Sequence, residues 1–530
     1  MNQTVQLITV TLLPDKTLKI ETIYNNLMES EKPDIYFVDD ENQKYEGKYF
    51  YGDDIKILFY LPIKNGKFKL KIDEISNNVN FVDNKNQRII NPANEYKIFT
   101  KSNVINILEN GVIDIISRKI GDKIKYEIKK QIYSIKSRRK LAVLRLFKGK
   151  EKYYLFNDRL LYGDDNAEEL FRYINTKHKK VASKCYFILD KNATCINQIR
   201  KVGKVLKYGS LMHKIKYLNA KMVISSHSSY YDRIYNPFSA EEMEYYKDIM
   251  CKKFIFVQHG VIMNDVHNVI QRPRTTADLF ITTTKEEYKN VKNDSYLYEE
   301  NMVVCTGLPR FDKLIDERKN VILISPTWRA YLTYVEYTDD KGNDFLTSEY
   351  FQKYSSILKN KDLLNYIKDR KYKIKFLLHP AFQEHKEHFL KFNNENVEII
   401  FTEEIKYSNL FNECSIFITD YSSIHFDVAF LKKPIIYYQF DKEKFFKSHY
   451  TKGYYDYEKD GFGEVIEKEK ELIDKIKYYI DNDCKTEEKY INQIEDTFLY
   501  LNRENSERVY KEIIKSDNRN EKVFRFNDVS

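Results

Sequence analysis

The chain has 530 residues, of which 42 % are hydrophobic and 32 % charged, with a formal net charge of +9. That length exceeds one ordinary domain and suggests about three, and the composition excludes a disordered or fibrous chain. The cysteines Cys185, Cys195, Cys251, Cys305, Cys414 and Cys484 form no C-x-x-C pair and no metal-ligand spacing, so they read as reduced thiols of a cytosolic protein. No apolar run approaches the roughly 20 residues of a spanning helix, and the first residues lack a basic-then-apolar leader.

Residues 1–105 alternate apolar and polar in short runs such as Val5-Gln6-Leu7-Ile8 and Lys67-Phe68-Lys69-Leu70, divided by Asn, Asp, Gly and Pro clusters. This pattern predicts a small accessory β-sandwich with no chemistry of its own. Residues 106–150 form a basic helical linker. Between Arg118 and Lys150 thirteen Lys or Arg face only Asp122 and Glu127, and Ile120, Ile124, Ile128, Ile132 and Ile135 share one helical face. Such a helix suits an anionic membrane surface. The alternative is a solvated linker whose isoleucines dock on the next domain. Nucleic acid is not expected as a partner, because no aromatic-interleaved or helix-turn-helix pattern accompanies the charge.

From 151 to 300 apolar strands each finish in a polar cluster: Tyr153-Tyr154-Leu155-Phe156 before Asn157-Asp158-Arg159, Met222-Val223-Ile224 before Ser225-Ser226-His227, and Phe254-Ile255-Phe256-Val257 before Gln258-His259-Gly260. A second series fills 301–515, with Val321-Ile322-Leu323-Ile324 before Ser325-Pro326-Thr327-Trp328-Arg329, and Ile374-Lys375-Phe376-Leu377-Leu378 before His379-Pro380. Parallel sheets whose carboxyl edges hold ligands are written this way. The fold expected is α/β of the GT-B type, two Rossmann-like domains facing a cleft, preceded by the small all-β domain and followed by a tail over 516–530.

The stretch from Phe417 to Leu431 reads strand, sharp turn, helix. Ile416-Phe417-Ile418 stops at Thr419-Asp420, Ser422 and Ser423 follow, and Phe426, Ala429 and Phe430 recur at helical spacing. Free N–H groups and small hydroxyls at such a turn suit a phosphate, although either serine could serve only as a helix cap.

Gln258-His259-Gly260, the run from Gly307 to Asp312, Ser325 to Arg329, Leu378-His379-Pro380 and Thr419 to Ser423 occur together in an order that resembles the CDP-glycerol glycerophosphotransferases, the teichoic-acid and capsule polymerases. The resemblance covers roughly 150–515 and is silent on residues 1–105 and on the charged stretch near Asp339 to Asn343. It implies transfer of a polyol phosphate from a CDP-activated donor (CDP-glycerol or another CDP-polyol) to a hydroxyl of a polysaccharide or lipid-linked acceptor, with release of CMP. By that resemblance His259 is the base that takes the hydroxyl proton, histidine being suited to the task near neutral pH. His379 would stabilise charge on the departing CMP. Ser422, Ser423, Asp420, Thr419 and Thr327 would hold the donor, with Arg310 and Arg329 as further cations, since phosphoryl transfer depends on positioning and electrostatics; Asp420 could equally orient the turn through hydrogen bonds, and either arginine could instead pair with a neighbouring carboxylate.

His227 ranks below these, and His267, His385, His388, His425 and His449 read as ordinary. No metal-ligand cluster is visible, so no cofactor is expected beyond a Mg²⁺ that a diphosphate can bring with it. A glycosyltransferase using a nucleotide sugar and a non-catalytic scaffold are the competing functions. P-loop chemistry is excluded because no G-x-x-x-x-G-K-[ST] exists. A lipid-linked acceptor would place the enzyme in the cytoplasm, peripherally at the inner face of the membrane.

Overall fold

The computed structural model describes residues 3–24, 33–52, 54–72, 79–82, 96–108, 110–136, 142–228, 235–333, 345–401 and 405–525. Two six-stranded sheets form the N-terminal region, and their inward side chains, among them Val5, Ile20, Phe59, Phe37, Phe68 and Ile105, share one core. It is the β-sandwich that the alternation predicts. Its end differs from the expected 105, because Asn103–Ile107 and Val112–Ser117 pair as an antiparallel hairpin inside the second sheet. Asn110-Gly111, with Gly111 at φ 68°, makes the turn that only a residue tolerant of positive φ enters cheaply. The tail also differs from a loose end: Lys522–Arg525 is a strand that pairs antiparallel with Thr9 to Leu12.

The helix Asp122–Lys136 follows. Its isoleucines Ile124, Ile128 and Ile132 do not dock on the next domain. Ile124 is 65 % exposed and Ile128 49 %, with Ile120 and Ile132 also at the surface. The helix docks instead by its opposite side, where Tyr126 Oη donates to Asp248 at 3.0 Å. The buried Arg145, from the short helix Ala142–Arg145, joins Asp248 and Glu127 there. Arg138, Arg139 and Lys140 lie outside the described residues.

A seven-stranded parallel sheet comes next, in the spatial order Val205–Lys207, Cys185–Leu189, Tyr153–Asn157, Ala220–Ser225, Lys253–Phe256, Leu279–Thr282, Val303–Cys305. Successive residues of one strand enter different cores, Leu155 on one face and Phe156 on the other, which is why these strands read as continuous apolar runs. The last strand belongs to this sheet, so the first parallel domain runs past 300. The second sheet is six-stranded and parallel, in the order Val397–Phe401, Lys373–Leu378, Val321–Ile324, Ile416–Thr419, Ile435–Tyr438, Gly463–Ile466. The helix Asn505–Asn518 crosses back to the first parallel domain, burying Val509 and Ile513 in its core. Among the described residues no helix is long and apolar enough to cross a membrane.

Candidate active site

The carboxyl edges of the two parallel sheets enclose a cleft of about 1120 Å³, lined by His259, Gly260, Thr327, His379, Ser422 and Ser423 among others. Their meeting is close. A Cβ on Gly260 would stand 2.7 Å from Ser423 Oγ, so glycine lets the loop of one domain approach the turn of the other.

The loop carrying His259 leaves its strand through Gln258, which adopts φ 54°, a conformation few side chains favour. Buried contacts hold it there. Gln258 Nε2 donates to Glu287 at 3.1 Å, while Glu287 also accepts from the N–H groups of Ile262 at 2.7 Å and Thr283 at 2.6 Å. Burial pushes the Glu287 carboxyl up to about 7. Asn166 ties the same loop to the second domain, donating to Gln258 O at 2.8 Å and accepting from Arg310 N at 3.0 Å.

His259 Nδ1 lies 3.2 Å from the carbonyl of Ser226. A carbonyl only accepts, so Nδ1 carries the proton and Nε2 of the neutral ring is left with its lone pair. The ring is open to the cleft, yet the cleft walls and the neighbouring His227 and Arg159 push its pKa down to about 4. His227 stacks on it with ring centres 5.1 Å apart.

His379 follows the strand Lys373–Leu378 and caps the next turn: its Nδ1 accepts from Ala381 N–H at 3.2 Å. Its tautomer is therefore reversed, with the proton on Nε2. Burial, with Arg159 nearby, pushes its pKa down to about 4. Trp328 stacks beside it and meets His449 edge-on at 4.3 Å. His449 also lines the cleft, with Nδ1 accepting from Ala330 N–H at 3.0 Å. The sequence reading left His449 as ordinary, and no motif around it marks it.

Ser422 and Ser423 face the cleft, but the helix begins later than expected, at His425, with Ile424 at its cap. Among the described residues the N–H groups of Ser422, Ser423 and Ile424 have no protein acceptor. His425, wholly buried, donates from Nδ1 to Ser422 O at 2.8 Å and so fixes the turn.

The other expected donor ligands have different tasks. Arg310 lines the cleft, yet its guanidinium is bidentate to Asp427 at 2.7 Å and also meets Asp165 at 2.9 Å and the His259 carbonyl. It clasps the two domains together. Arg329 is wholly buried between Asp441 at 2.7 Å and Asp420 at 2.9 Å, and never reaches the cleft. Asp420 accepts from Thr327 N–H at 2.8 Å and Tyr421 N–H at 2.6 Å, shaping the turn from below. Thr419 Oγ donates to Ser325 O at 2.7 Å between neighbouring strands. Thr327 lines the cleft, and its buried Oγ1 has no hydrogen-bond partner. Among the described residues no group of three or more His, Cys, Asp or Glu could hold a metal ion.

Two facing Rossmann-like domains with paired histidines at the cleft define the GT-B type of fold. The chain belongs to the family of CDP-glycerol:poly(glycerophosphate) glycerophosphotransferases, which matches residues 140–515. It is 36 % identical over 376 residues to the minor teichoic acid biosynthesis protein GgaB of Bacillus subtilis (strain 168), a match covering 69 % of this chain and 40 % of GgaB. The teichoic acid ribitol-phosphate polymerase TarK of Staphylococcus aureus is 27 % identical over 246 residues, 41 % of each chain. The chain thus spans less than half the length of these curated relatives. The wall teichoic acid polymerase TagF shares the fold, with a TM-score of 0.52 and 16 % identity over 74 % of this chain and 98 % of that one. The matched span leaves out the β-sandwich.

Proposed function

We propose that this chain transfers glycerol phosphate, or a closely related polyol phosphate, from a CDP-activated donor to a hydroxyl of a teichoic-acid-like acceptor. The observation that carries this reading is the opposite tautomers of the two cleft histidines. The acceptor hydroxyl oxygen attacks the donor's β-phosphorus and gives its proton to His259 Nε2. The bond from that phosphorus to the bridging oxygen breaks, and CMP leaves with the electron pair. His379 Nε2–H donates to the negative charge that develops there, and donors placed for a transition state act more strongly in a dry cleft than in water. The free N–H groups and hydroxyls of Ser422 and Ser423 suit the diphosphate.

Cleft carboxylates are already committed: Asp158 accepts from Ala167 N–H and Glu168 N–H at 2.9 Å, Asp164 holds Lys313 at 2.6 Å, and Asp165 and Asp427 hold Arg310. Among the described residues these carboxylates form no group of three that could hold a metal ion. Incubating the protein with CDP-glycerol, CDP-ribitol and UDP-sugars and a polyol-phosphate acceptor tests the reading. CMP release from a CDP-polyol is expected, and nucleotide release from UDP-sugars alone would replace it with glycosyl transfer.

We place the enzyme in the cytoplasm, at the inner membrane surface, through the helix Asp122–Lys136. Exposed Ile124 and Ile128, joined by exposed Leu146 and Phe147 on the segment that follows, sit among lysines. Apolar burial and attraction to anionic headgroups support each other on such a surface. Flotation with anionic vesicles should fall when Ile124 and Ile128 become Ser, and again at high salt. Equal recovery with neutral and anionic vesicles rules the placement out.

A further inference from the structure

A doubly charged diphosphate must meet cationic groups in the cleft, and those the sequence suggested are already neutralised. Arg310 is held by Asp427 and Asp165, Arg329 is buried away from the cleft, and Lys313 is paired with Asp164. Arg159 differs. It stands two residues beyond the strand Tyr153–Asn157, in the interior of the first parallel sheet, and lines the cleft. Its guanidinium donates to Tyr162 Oη at 2.9 Å and lies over the same ring at 5.3 Å. Among the described residues no carboxylate pairs with it.

We infer that Arg159 is the cation that meets the reacting phosphates, reaching from the first parallel domain toward the diphosphate held at Ser422 and Ser423. The inference rests on the transfer reaction proposed above and assigns a further binding residue to it. Its position supports this: the Arg159 charge lowers the proton affinity of His259 on one wall and of His379 on the other, so it lies in range of both. A guanidinium presents a planar fork of donors that matches two phosphate oxygens, and it keeps its charge in a partly dry site. Its hydrogen bond is to a neutral tyrosine and the Asp165 carboxylate acts on it only from a distance, so it can turn to a phosphate without breaking a direct ion pair. Lys406, from the second parallel domain, also lines the cleft, but an ammonium is a point charge without the fork that matches two phosphate oxygens.

The test uses titration calorimetry and turnover on the full chain, with CDP-glycerol, cytidine and inorganic pyrophosphate as probes. Arg159→Ala should weaken CDP-glycerol and pyrophosphate binding at least about tenfold, the scale of a charge-assisted contact, and leave cytidine binding unchanged. Arg159→Lys, which keeps the charge, should recover part of the loss. Burial and His227 hold the His259 pKa down and Asp165 opposes them, so removing the Arg159 charge should raise it only in part, moving the acid limb of the pH–rate profile modestly to higher pH in Arg159→Ala and less in Arg159→Lys. A merely structural role would lower activity and melting temperature without moving that limb. Unchanged pyrophosphate affinity, or an equal loss for cytidine, overturns the assignment. If the wild type binds pyrophosphate through Arg159 but releases no CMP from any CDP-polyol, the proposed reaction falls while the phosphate contact stands.

Discussion

His259 and His379 occupy corresponding places, each just past the carboxyl end of a parallel strand, each lining the same cleft, each with its pKa pushed down to about 4. They differ in what touches Nδ1: a carbonyl at His259, a backbone N–H at His379. One contact makes the first ring an acceptor toward the cleft and the other makes the second a donor. Two histidines at the carboxyl ends of parallel strands thus present an acceptor and a donor to the cleft through a single backbone atom, as the proposed base and electrophile require.

The largest effect expected is at the base. His259→Ala should lower kcat by about 10²- to 10⁴-fold with donor affinity kept, as single-turnover kinetics and calorimetry would show. His259→Gln should recover nothing, because an amide does not take a proton. At His379 the loss to alanine should reach about 10²-fold, the scale of a lost transition-state donor, and His379→Gln should regain part of it through its amide N–H. Equal behaviour of the two glutamine variants breaks the distinction between the rings.

Smaller effects sharpen the picture. Ser422→Ala and Ser423→Ala should each weaken CDP-glycerol binding by about 0.5 to 2 kcal/mol, as lost hydroxyl hydrogen bonds do; unaltered affinity makes the serines turn formers only. The His259 ring must be neutral to act, and its pKa is lowered, so kcat/KM should hold as pH falls through 6.5 and decline only toward about 4. A decline centred at 6.5 means the ring is more fully hydrated than its walls imply. Smallest should be Gly260→Ala, a few-fold loss of turnover; the double variant with Ser423→Ala should lose less than the sum, since removing Oγ relieves the contact.

The two parallel sheets were legible because strands buried on both faces are apolar throughout and stop abruptly at polar clusters. The His379 tautomer was nearly legible too, since its partner Ala381 is local. The His259 tautomer was not: Ser226 lies in another strand, and only the fold brings it to Nδ1. Whether Arg310 and Arg329 face a ligand or pair with carboxylates was open for the same reason, as Asp427 and Asp441 are distant in sequence. Arg159 carries no motif, and what marks it is that, among the described residues, no carboxylate forms a direct ion pair with it. The sandwich boundary was missed although Asn110-Gly111 signals a hairpin. The strand Lys522–Arg525 is too short to announce itself without its partner.

That strand has a consequence for how the molecule is made. Its partner Thr9 to Leu12 leaves the ribosome before either parallel domain, while Lys522–Arg525 emerges only after both have been synthesised. Until then part of a sheet edge in the nascent sandwich stays unpaired, and an unpaired edge invites other chains. The sandwich is begun before both parallel domains and completed only after them, so during synthesis this edge is a point where a chaperone, or a second nascent copy, finds the chain open.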